Sequence, residues 1–375
     1  MTIFTAIGLM SGTSMDGIDV ALVKTDGQSM VERGPAIEIP YSVDVRRLIE
    51  VGLEAAKEIE YDRTARPGGL AYLETLLTDH HADAVSQFLD RFNIAAQTVD
   101  FIGFHGQTVL HRPDVGVTVQ LGLGKHLAAA TGIDVVYDFR ANDMRHGGQG
   151  APLVPVYHRA LADGVWSERR TPVAFVNIGG ISNITWIAPE GDLFAFDTGP
   201  GNALIDQWLQ QEAGIPLDQG GLIASEGRYH KSVLEAYLEL PYFSLSAPKS
   251  LDRLDFEPLK PGVLELSDGA RTLARLTAEA IIKGCEHLPE MPERFVICGG
   301  GRKNAAIIAD LAELADAKGA QVDAAETHGF DGDAMEAEAF AYLAVRSHLG
   351  LPLTYPNTTG CREAVSGGVE ASVMS

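Results

Sequence analysis

Cysteine is scarce in this chain, and its spacing fits neither a disulfide scaffold nor a metal site. Only Cys285, Cys298 and Cys361 occur in 375 residues, and no Cys-x-x-Cys pair is present. A disulfide framework needs more cysteines, and a structural zinc site needs closely spaced pairs. The sequence also has no His-Glu-x-x-His signature. We therefore expect a protein of a reducing compartment without structural zinc.

Basic charge and long apolar runs are lacking as well. The chain has 29 lysines and arginines against 51 aspartates and glutamates, a formal net charge of −22. Nucleic acid is a poor partner for such a chain, because neutralising phosphates needs a basic face. No apolar run could span a bilayer, and the N-terminus lacks the pattern of a secretion signal. These absences predict a cytoplasmic protein with neither a nucleic-acid nor a membrane partner.

Strands that alternate with long helices are the main pattern that is present. A chain of 375 residues exceeds one ordinary core, so two domains are expected. Alternating strands and helices indicate an α/β fold. Strands are predicted at Ile3–Met10, Gly17–Val23, Asp100–Gly103, Ala174–Asn177, Thr185–Ala188 and Phe295–Cys298. Helices are predicted at Leu70–Phe92, with His80 and His81 on a solvated face, and at Asn202–Glu212, Leu264–His287 and Ala334–His348.

One hairpin pattern occurs twice. The segment TAIGLMSGTSMDGIDVALV, residues 5–23, has a strand, a turn of small residues and a second strand. The segment VAFVNIGGISNITWIA, residues 173–188, has the same order in the middle of the chain. Two unrelated hairpins would explain this, and so would two duplicated lobes that each carry one hairpin.

The first of these turns has the composition of a phosphate site. Its two glycines have Walker A spacing, but Ile-Asp stands where that motif has Lys-Ser/Thr, so it is not a Walker loop. The N–H groups and hydroxyls of a tight turn can still bind phosphate, and its two aspartates fit an intervening Mg²⁺. A plain hairpin with a capping aspartate is the alternative. The residues concerned are Ser11, Gly12, Thr13, Ser14, Asp16, Gly17 and Asp19.

Two other segments also place small or polar residues after an apolar strand. In FVICGGGRKN, Gly299–Gly301 would let a phosphate or a flat group approach the backbone. In GFHGQTVLH, the side chains of His105, Gln107 and Thr108 suit a polyhydroxylated ligand. A buried core histidine is the alternative for His105. Together with the two hairpin turns, the segment with Gly299–Gly301 favours a nucleotide bound in a cleft.

Asp197 is the candidate reactive carboxylate. It follows the apolar stretch Leu193–Phe196 and precedes a Pro-Gly turn. A carboxylate there could act as a general base or a metal ligand. An ordinary turn cap is the alternative interpretation.

Six motifs, taken in order, resemble those of a known family. They are GLMSGTSMDGID, HGQT, DFRANDMRHGGQGAPLVP, NIGGISN, FDTGPGN and CGGG, and the resemblance that they mark runs from residue 7 to about residue 345. The sequence resembles the anhydro-N-acetylmuramic acid kinase family, within the superfamily of actin, sugar kinases and heat-shock chaperone ATPases. The resemblance implies a two-lobed actin-like fold with duplicated mixed sheets, flanking helices and a central cleft. Lobe I would comprise 1–133 and 338–375, and lobe II 134–337.

The resemblance also implies roles for individual residues. ATP and Mg²⁺ are the implied cofactors, with both hairpin turns on the phosphates, Asp16 and Asp19 on the metal, and Asp197 as the catalytic carboxylate. Gly220 departs from the aspartate expected there, which leaves Asp218 as the nearest acid. The second phosphate turn and the nucleotide loop would be Gly179, Gly180, Gly299, Gly300 and Gly301. The sugar pocket would include His105, Gln107, Thr108, Asp143, Gln149 and Glu336.

The implied substrate is a cell-wall amino sugar whose 1,6-anhydro bridge occupies O6. Water would attack C1 with Asp197 as its base, and O6 would then accept the γ-phosphoryl group. The products would be N-acetylmuramic acid 6-phosphate and ADP. The expected partner is thus a small molecule, and self-association into a homodimer is left open.

Two other classes of function stay open at this stage. One is an ATPase of the same superfamily that is not a kinase, although no peptide-binding or polymerising extension is evident. The other is a glycosidase that uses Asp197 and Asp143 without a nucleotide. The two phosphate-type turns argue against it, and dependence on ATP would decide.

Overall fold

The computed structural model describes residues 2–12, 15–251 and 256–373, which fall into two compact units. The first unit is Met1–Val165 with Ala334–Ser375, and the second is Trp166–Asp333. The boundaries differ from the predicted divisions after residues 133 and 337. Residues 134–137 form a strand that pairs inside the first unit's sheet, so this part of the chain cannot belong to the second unit.

The described residues form twelve strands. They are β1 (Phe4–Ser11), β2 (Gly17–Thr25), β3 (Val31–Pro40), β4 (Phe101–Arg112), β5 (Val117–Leu121), β6 (Asp134–Tyr137), β7 (Val173–Ile178), β8 (Ile181–Ile187), β9 (Leu193–Pro200), β10 (Arg294–Cys298), β11 (Gln321–Ala324) and β12 (Val369–Ala371).

Twelve α-helices occur in the same part of the chain. They are α1 (Val43–Ala56), α2 (Leu70–Phe92), α3 (Gly124–Thr131), α4 (Ala141–Arg145), α5 (Pro155–Val165), α6 (Ala203–Ala213), α7 (Leu222–Glu226), α8 (Lys231–Leu238), α9 (Leu266–Gly284), α10 (Ala305–Asp316), α11 (Met335–His348) and α12 (Pro356–Thr359). None is long and apolar enough to cross a membrane.

The two sheets share one topology. In the first, the strand order is β12-β6-β4-β1-β2-β3, with β5 paired to β4. In the second it is β11-β10-β7-β8-β9. In each sheet the first three strands along the chain pair antiparallel. A later strand, β4 or β10, pairs parallel with the first of them, and β6 or β11 then pairs parallel with that later strand. The repeated hairpin therefore marks equivalent β1–β2 and β7–β8 pairs, which confirms the α/β prediction with duplicated mixed sheets.

Glycine allows one helix of the first unit to lie directly on its sheet. A Cβ on Gly8 of β1 would lie 1.7 Å from the carbonyl oxygen of Ala337, and one on Gly103 of β4 would lie 1.9 Å from that of Phe340. Both oxygens belong to α11, so any larger residue at these two positions would push the helix away. Close packing of this kind excludes water from the apolar core beneath.

A tryptophan organises the helical layer of the second unit. Trp208 of α6 is fully buried, and its indole N–H donates to the carbonyl of Leu266 at 2.9 Å. Gly269 of α9 faces the indole ring, which lies 2.2 Å from the position of a Cβ. Burial of the large ring, with its polar group paired, stabilises the packing of α6 against α9.

Two local expectations are wrong. His81 is fully buried on α2, where its Nδ1 lies 2.6 Å from the carbonyl of Leu77, and it is not on a solvated face. The Pro-Gly turn expected directly after Asp197 is also wrong, because β9 continues to Pro200 and Asp197 lies within this strand. Proline is tolerated there because β9 is an edge strand and its last residue needs no donor.

Candidate active site

The turn between β1 and β2 is bound to the neighbouring strand β4. Ser11 is buried, and its hydroxyl donates to the carbonyl of Gly106 at 3.2 Å. The Gly12 carbonyl accepts from the Gln107 side-chain amide at 3.1 Å and from the Met15 N–H at 3.2 Å. These bonds fix the end of β1 and the start of the turn against the core of the first unit.

The two aspartates of this turn differ in exposure. Asp16 has an exposed side chain, and Asp19 is partly buried on β2. Within the described ranges, no three His, Cys, Asp or Glu residues cluster as a metal site. Mg²⁺ needs no such cluster, since one or two carboxylates suffice when phosphate oxygens and water complete the shell. The donors present therefore fit the ion, while Thr13 and Ser14 lie outside the described residues.

Three of the predicted phosphate-site glycines are required by the fold itself. A Cβ on Gly17 would lie 2.4 Å from the carbonyl oxygen of Ile39 on β3. Gly299 has φ of 75°, in the left-handed region, and a Cβ on Gly301 would lie 2.2 Å from the side chain of Ile178. These glycines would be needed with or without a ligand.

Three further glycines of the predicted phosphate site, Gly179, Gly180 and Gly300, have no such structural reason. A Cβ on Gly300 would meet nothing within 4 Å, and on Gly179 or Gly180 its nearest contacts would be 3.5 and 3.6 Å away. None of the three has a left-handed backbone. The N–H groups of Gly201 and Asn202 hold the carbonyls of Gly180 and Gly179 at 2.9 and 2.8 Å. The fold thus tolerates a side chain at these positions, and close approach of a ligand is one reason to exclude it.

Asp197 pairs with β8 as part of β9 and is also held by one distant segment of the second unit, residues 242–251. Its N–H donates to the carbonyl of Lys249 at 3.0 Å, and its own carbonyl accepts from the Tyr242 hydroxyl. The N–H of Leu251 donates to its carboxylate at 2.8 Å. A turn cap would accept from its own turn, whereas this donor lies 54 positions further along the chain.

The protonation of Asp197 suits proton transfer. Burial raises the pKa of its carboxyl to about 7, and the hydrogen bond from Leu251 offsets part of that rise. A carboxyl with a pKa near neutral pH can accept a proton from water and release it again.

In the first unit, His105 lies beside an arginine that sequence reasoning missed. The Arg140 guanidinium donates to His105 Nε2 at 2.8 Å and to the carbonyl of Gly150 at 2.7 Å. Burial and the adjacent positive charge hold the pKa of His105 well below its usual range, so the imidazole is neutral and accepts. Burial raises the pKa of Glu336, and the charge of Arg140 opposes that rise. The structure thus groups three polar side chains, two of which were predicted.

The remaining predicted sugar-pocket residues have other contacts. Gln107 bonds to the first phosphate turn, and Thr108 accepts from Gln120 of β5 at 3.2 Å. The Asp143 carboxylate accepts from the Gly150 N–H at 2.7 Å and from the Thr359 hydroxyl at 2.6 Å. Asp143 therefore holds a loop of the first unit.

Gln149 and Asp218 both form hydrogen bonds with backbone groups of nearby segments. The Gln149 N–H donates to the carbonyl of Thr359 at 2.8 Å, so this residue too belongs to that loop. The Asp218 carboxylate accepts from the N–H groups of Ile223 and Ala224 at 2.8 and 3.0 Å, which caps the first turn of α7. Next to it Gly220 has a left-handed backbone.

Comparison with known proteins places this arrangement in a family. The family model for anhydro-N-acetylmuramic acid kinase matches residues 4–372. The chain belongs to the anhydro-N-acetylmuramic acid kinase family. A curated relative of that name from Rhizobium etli is 55% identical over 368 residues, which cover 98% of each chain. Another from Agrobacterium fabrum is 56% identical over 365 residues, or 97% of this chain and 98% of that one.

This family assignment makes the chain a kinase.

Among solved structures, component A of (R)-2-hydroxyglutaryl-CoA dehydratase from Acidaminococcus fermentans aligns with 91% of this chain and 99% of that one. The TM-score of 0.48 and the identity of 12% are too low for that likeness to bear on function.

Four residues of the site were not predicted from the sequence. Arg140 lies in the polar segment 138–155, whose density of charged residues was itself a signal. Tyr242, Lys249 and Leu251 lie in a segment without glycine-rich or acidic motifs, and only tertiary contact brings them to Asp197.

Proposed function

We propose that this kinase uses ATP to open the 1,6-anhydro bridge of 1,6-anhydro-N-acetylmuramic acid and to phosphorylate O6. The products are N-acetylmuramic acid 6-phosphate and ADP, as expected for recycling of cell-wall sugar. The observation that carries the proposal is Asp197, a carboxylate with a pKa near 7 in a chain of this kinase family. Water that attacks an acetal carbon must lose a proton, and a carboxylate with a pKa near neutral pH can accept it.

The proposed reaction combines hydrolysis of a glycosidic bond with transfer of a phosphoryl group. Asp197 takes a proton from water as the water oxygen bonds to C1, and the C1–O6 bond breaks. O6 becomes the nucleophile toward the γ-phosphorus of ATP, so the phosphoryl group replaces the acid that normally protonates a leaving oxygen. Atoms balance, since water supplies the new C1 hydroxyl and ADP leaves.

The phosphate turns supply positioning and electrostatic stabilisation in this proposal. Backbone N–H groups of the β1–β2 and β7–β8 turns would face the phosphates, with Gly179, Gly180 and Gly300 allowing close approach. Asp16 and Asp19 would hold Mg²⁺, which neutralises phosphate charge when bound.

Sugar recognition is assigned to the cluster of His105, Arg140 and Glu336. Arg140 Nε and Gln107 Oε1 are buried and have no hydrogen-bond partner in the described part of the chain. Buried polar groups are normally paired, so an unpaired donor and an unpaired acceptor suit the hydroxyl and amide groups of an amino sugar.

The location and the assembly are part of the same proposal. Cys285, Cys298 and Cys361 form no disulfide within the described residues, which fits the reducing, ATP-containing cytoplasm. Self-association into a homodimer stays a prediction.

Substrate choice tests the proposed function directly. ADP release should be rapid with the anhydro-muramic sugar and slow with N-acetylglucosamine or glucose, because in this proposal Asp197 activates water and not a free sugar hydroxyl. Equal rates on an open-ring sugar would overturn the anhydro assignment and leave a general hexosamine kinase. Bridge opening without ATP would favour the glycosidase alternative, which the engagement of both Asp143 oxygens disfavours.

A further inference from the structure

A buried lysine lies in the segment that holds Asp197, and the proposed mechanism gives it no part. Lys249 is only 6% exposed, and its ammonium has no carboxylate partner within the described ranges. Burying a charged group is costly, so other contacts of the ammonium must offset the free energy lost on removing it from water.

The ammonium of Lys249 ties together the two ends of a short loop. It donates to the carbonyl of Tyr242 at 3.1 Å and lies 4.6 Å from the centre of the Tyr242 ring. His287 Nε2 lies 3.3 Å from it and 3.0 Å from the carbonyl of Phe243. Burial lowers the pKa of Lys249 to about 8, and the charge of Lys283 adds to that effect.

The same loop contacts both the backbone and the carboxylate of Asp197. Its backbone pairs with Lys249 and with the Tyr242 hydroxyl, and its carboxylate accepts from Leu251. As β9 is the edge strand of its sheet, the loop takes the place of a further strand at this residue. The position of the Leu251 N–H, and so the basicity of Asp197, depends on how firmly residues 242–251 are held.

We propose that Lys249 is a positioning residue for the catalytic base: its buried ammonium clamps residues 242–251, and the clamped loop presents the Leu251 N–H to Asp197. The inference rests on the proposed function of Asp197 as base. Lys249 itself transfers no proton to the substrate.

The test is the pH dependence of kcat/KM for ADP release with the anhydro sugar. In Lys249→Met the loop loses its clamp, the carboxylate loses a donor that favours its charged form, and the acidic midpoint should rise by about one pH unit. The KM for ATP should stay near the parent value. Lys231→Met, on the exposed face of α8 where Lys231 pairs with Glu235, is the matched control and should keep the parent midpoint.

A second variant separates the clamp from a simple charge effect. Tyr242→Phe alters no charge but removes the hydroxyl that holds the Asp197 carbonyl, so its midpoint should also rise, by less than in Lys249→Met. It also keeps the test decisive if Lys249→Met does not fold. A shift in Lys249→Met alone would mean that the cation acts through its charge, against the clamp.

The outcomes distinguish this inference from the proposed function. If the parent enzyme does not turn over the anhydro sugar, or if Asp197→Asn retains its rate, the proposed function fails. If the parent and Asp197→Asn behave as proposed while Lys249→Met loses activity with an unchanged midpoint, only the positioning role is overturned.

Discussion

The N–H of Leu251 donates to the carboxylate of Asp197 at 2.8 Å, across 54 positions of the chain. This bond favours the charged form, while burial favours the neutral one and raises the pKa to about 7. A base works only when it is deprotonated, so kcat/KM should rise as the pH increases through about 7 and level off above it. Rates measured from pH 5 to 9 check this. A plateau that already begins at pH 5 would show that no such carboxyl controls the reaction.

Removing the base should separate chemistry from nucleotide binding. Asp197→Asn keeps the size of the side chain but cannot accept a proton from water, so turnover should fall by about 10²- to 10⁴-fold. Equilibrium titration should give ATP affinity close to that of the parent. Asp192→Asn, an exposed change just before the same strand, serves as a control for general damage. Near-parental turnover in Asp197→Asn would leave the residue with a structural role alone.

Replacing the predicted phosphate-site glycines by alanine should have different effects, depending on whether the fold leaves room for a methyl group. Gly180→Ala and Gly300→Ala have room for the methyl group, so their melting temperatures should stay near the parent value while nucleotide affinity falls. Gly301→Ala is the contrasting variant, since its methyl group would press on Ile178, and it should lose stability. Thermal unfolding and nucleotide titration, run in parallel, measure both effects. Unchanged nucleotide affinity in Gly180→Ala and Gly300→Ala would remove these glycines from the site.

Glu336 is expected to act on the sugar and not on ATP. Its electrostatic partner Arg140 lies beside His105 in the first unit, so Glu336→Gln should raise the KM for the anhydro sugar about tenfold or more, the cost of one lost hydrogen bond to a charged group. The KM for ATP should hardly change. Glu54→Gln, in an exposed ion pair with Lys57, is the matched control. The assignment fails if both KM values change together or if neither does.

The duplicated fold could be predicted from the sequence because each hairpin has a local pattern. Apolar runs on either side of small-residue turns mark the β1–β2 and β7–β8 pairs without any knowledge of distant contacts. Strand β6 has only four residues and no glycine-rich turn before it, so nothing local assigns it to the first sheet. The unit boundary at Val165 consequently could not be found from the pattern.

The surroundings of individual side chains could be predicted from the sequence only in part. Leu73, Leu77, Ala84 and Phe88 form an apolar stripe with helical spacing, and His81 lies on it, so its burial had a signal. The clamp around Asp197 had none, because Lys249 and Leu251 reach it through tertiary pairing at a sheet edge. Such contacts determine the pKa of Asp197, and a linear pattern does not contain them.

The origin of the product oxygens tests the central claim most directly. A brief reaction with the anhydro-muramic sugar and ATP in ¹⁸O-labelled water is followed by mass spectrometry of the sugar phosphate, before the anomeric oxygen exchanges through the open chain. If Asp197 activates water to attack C1, the label should appear in the anomeric hydroxyl, with the inverted anomer formed first, and the O6–phosphorus bond should keep the sugar's own oxygen. Label in the phosphate ester, or an unlabelled anomeric hydroxyl, would contradict the account.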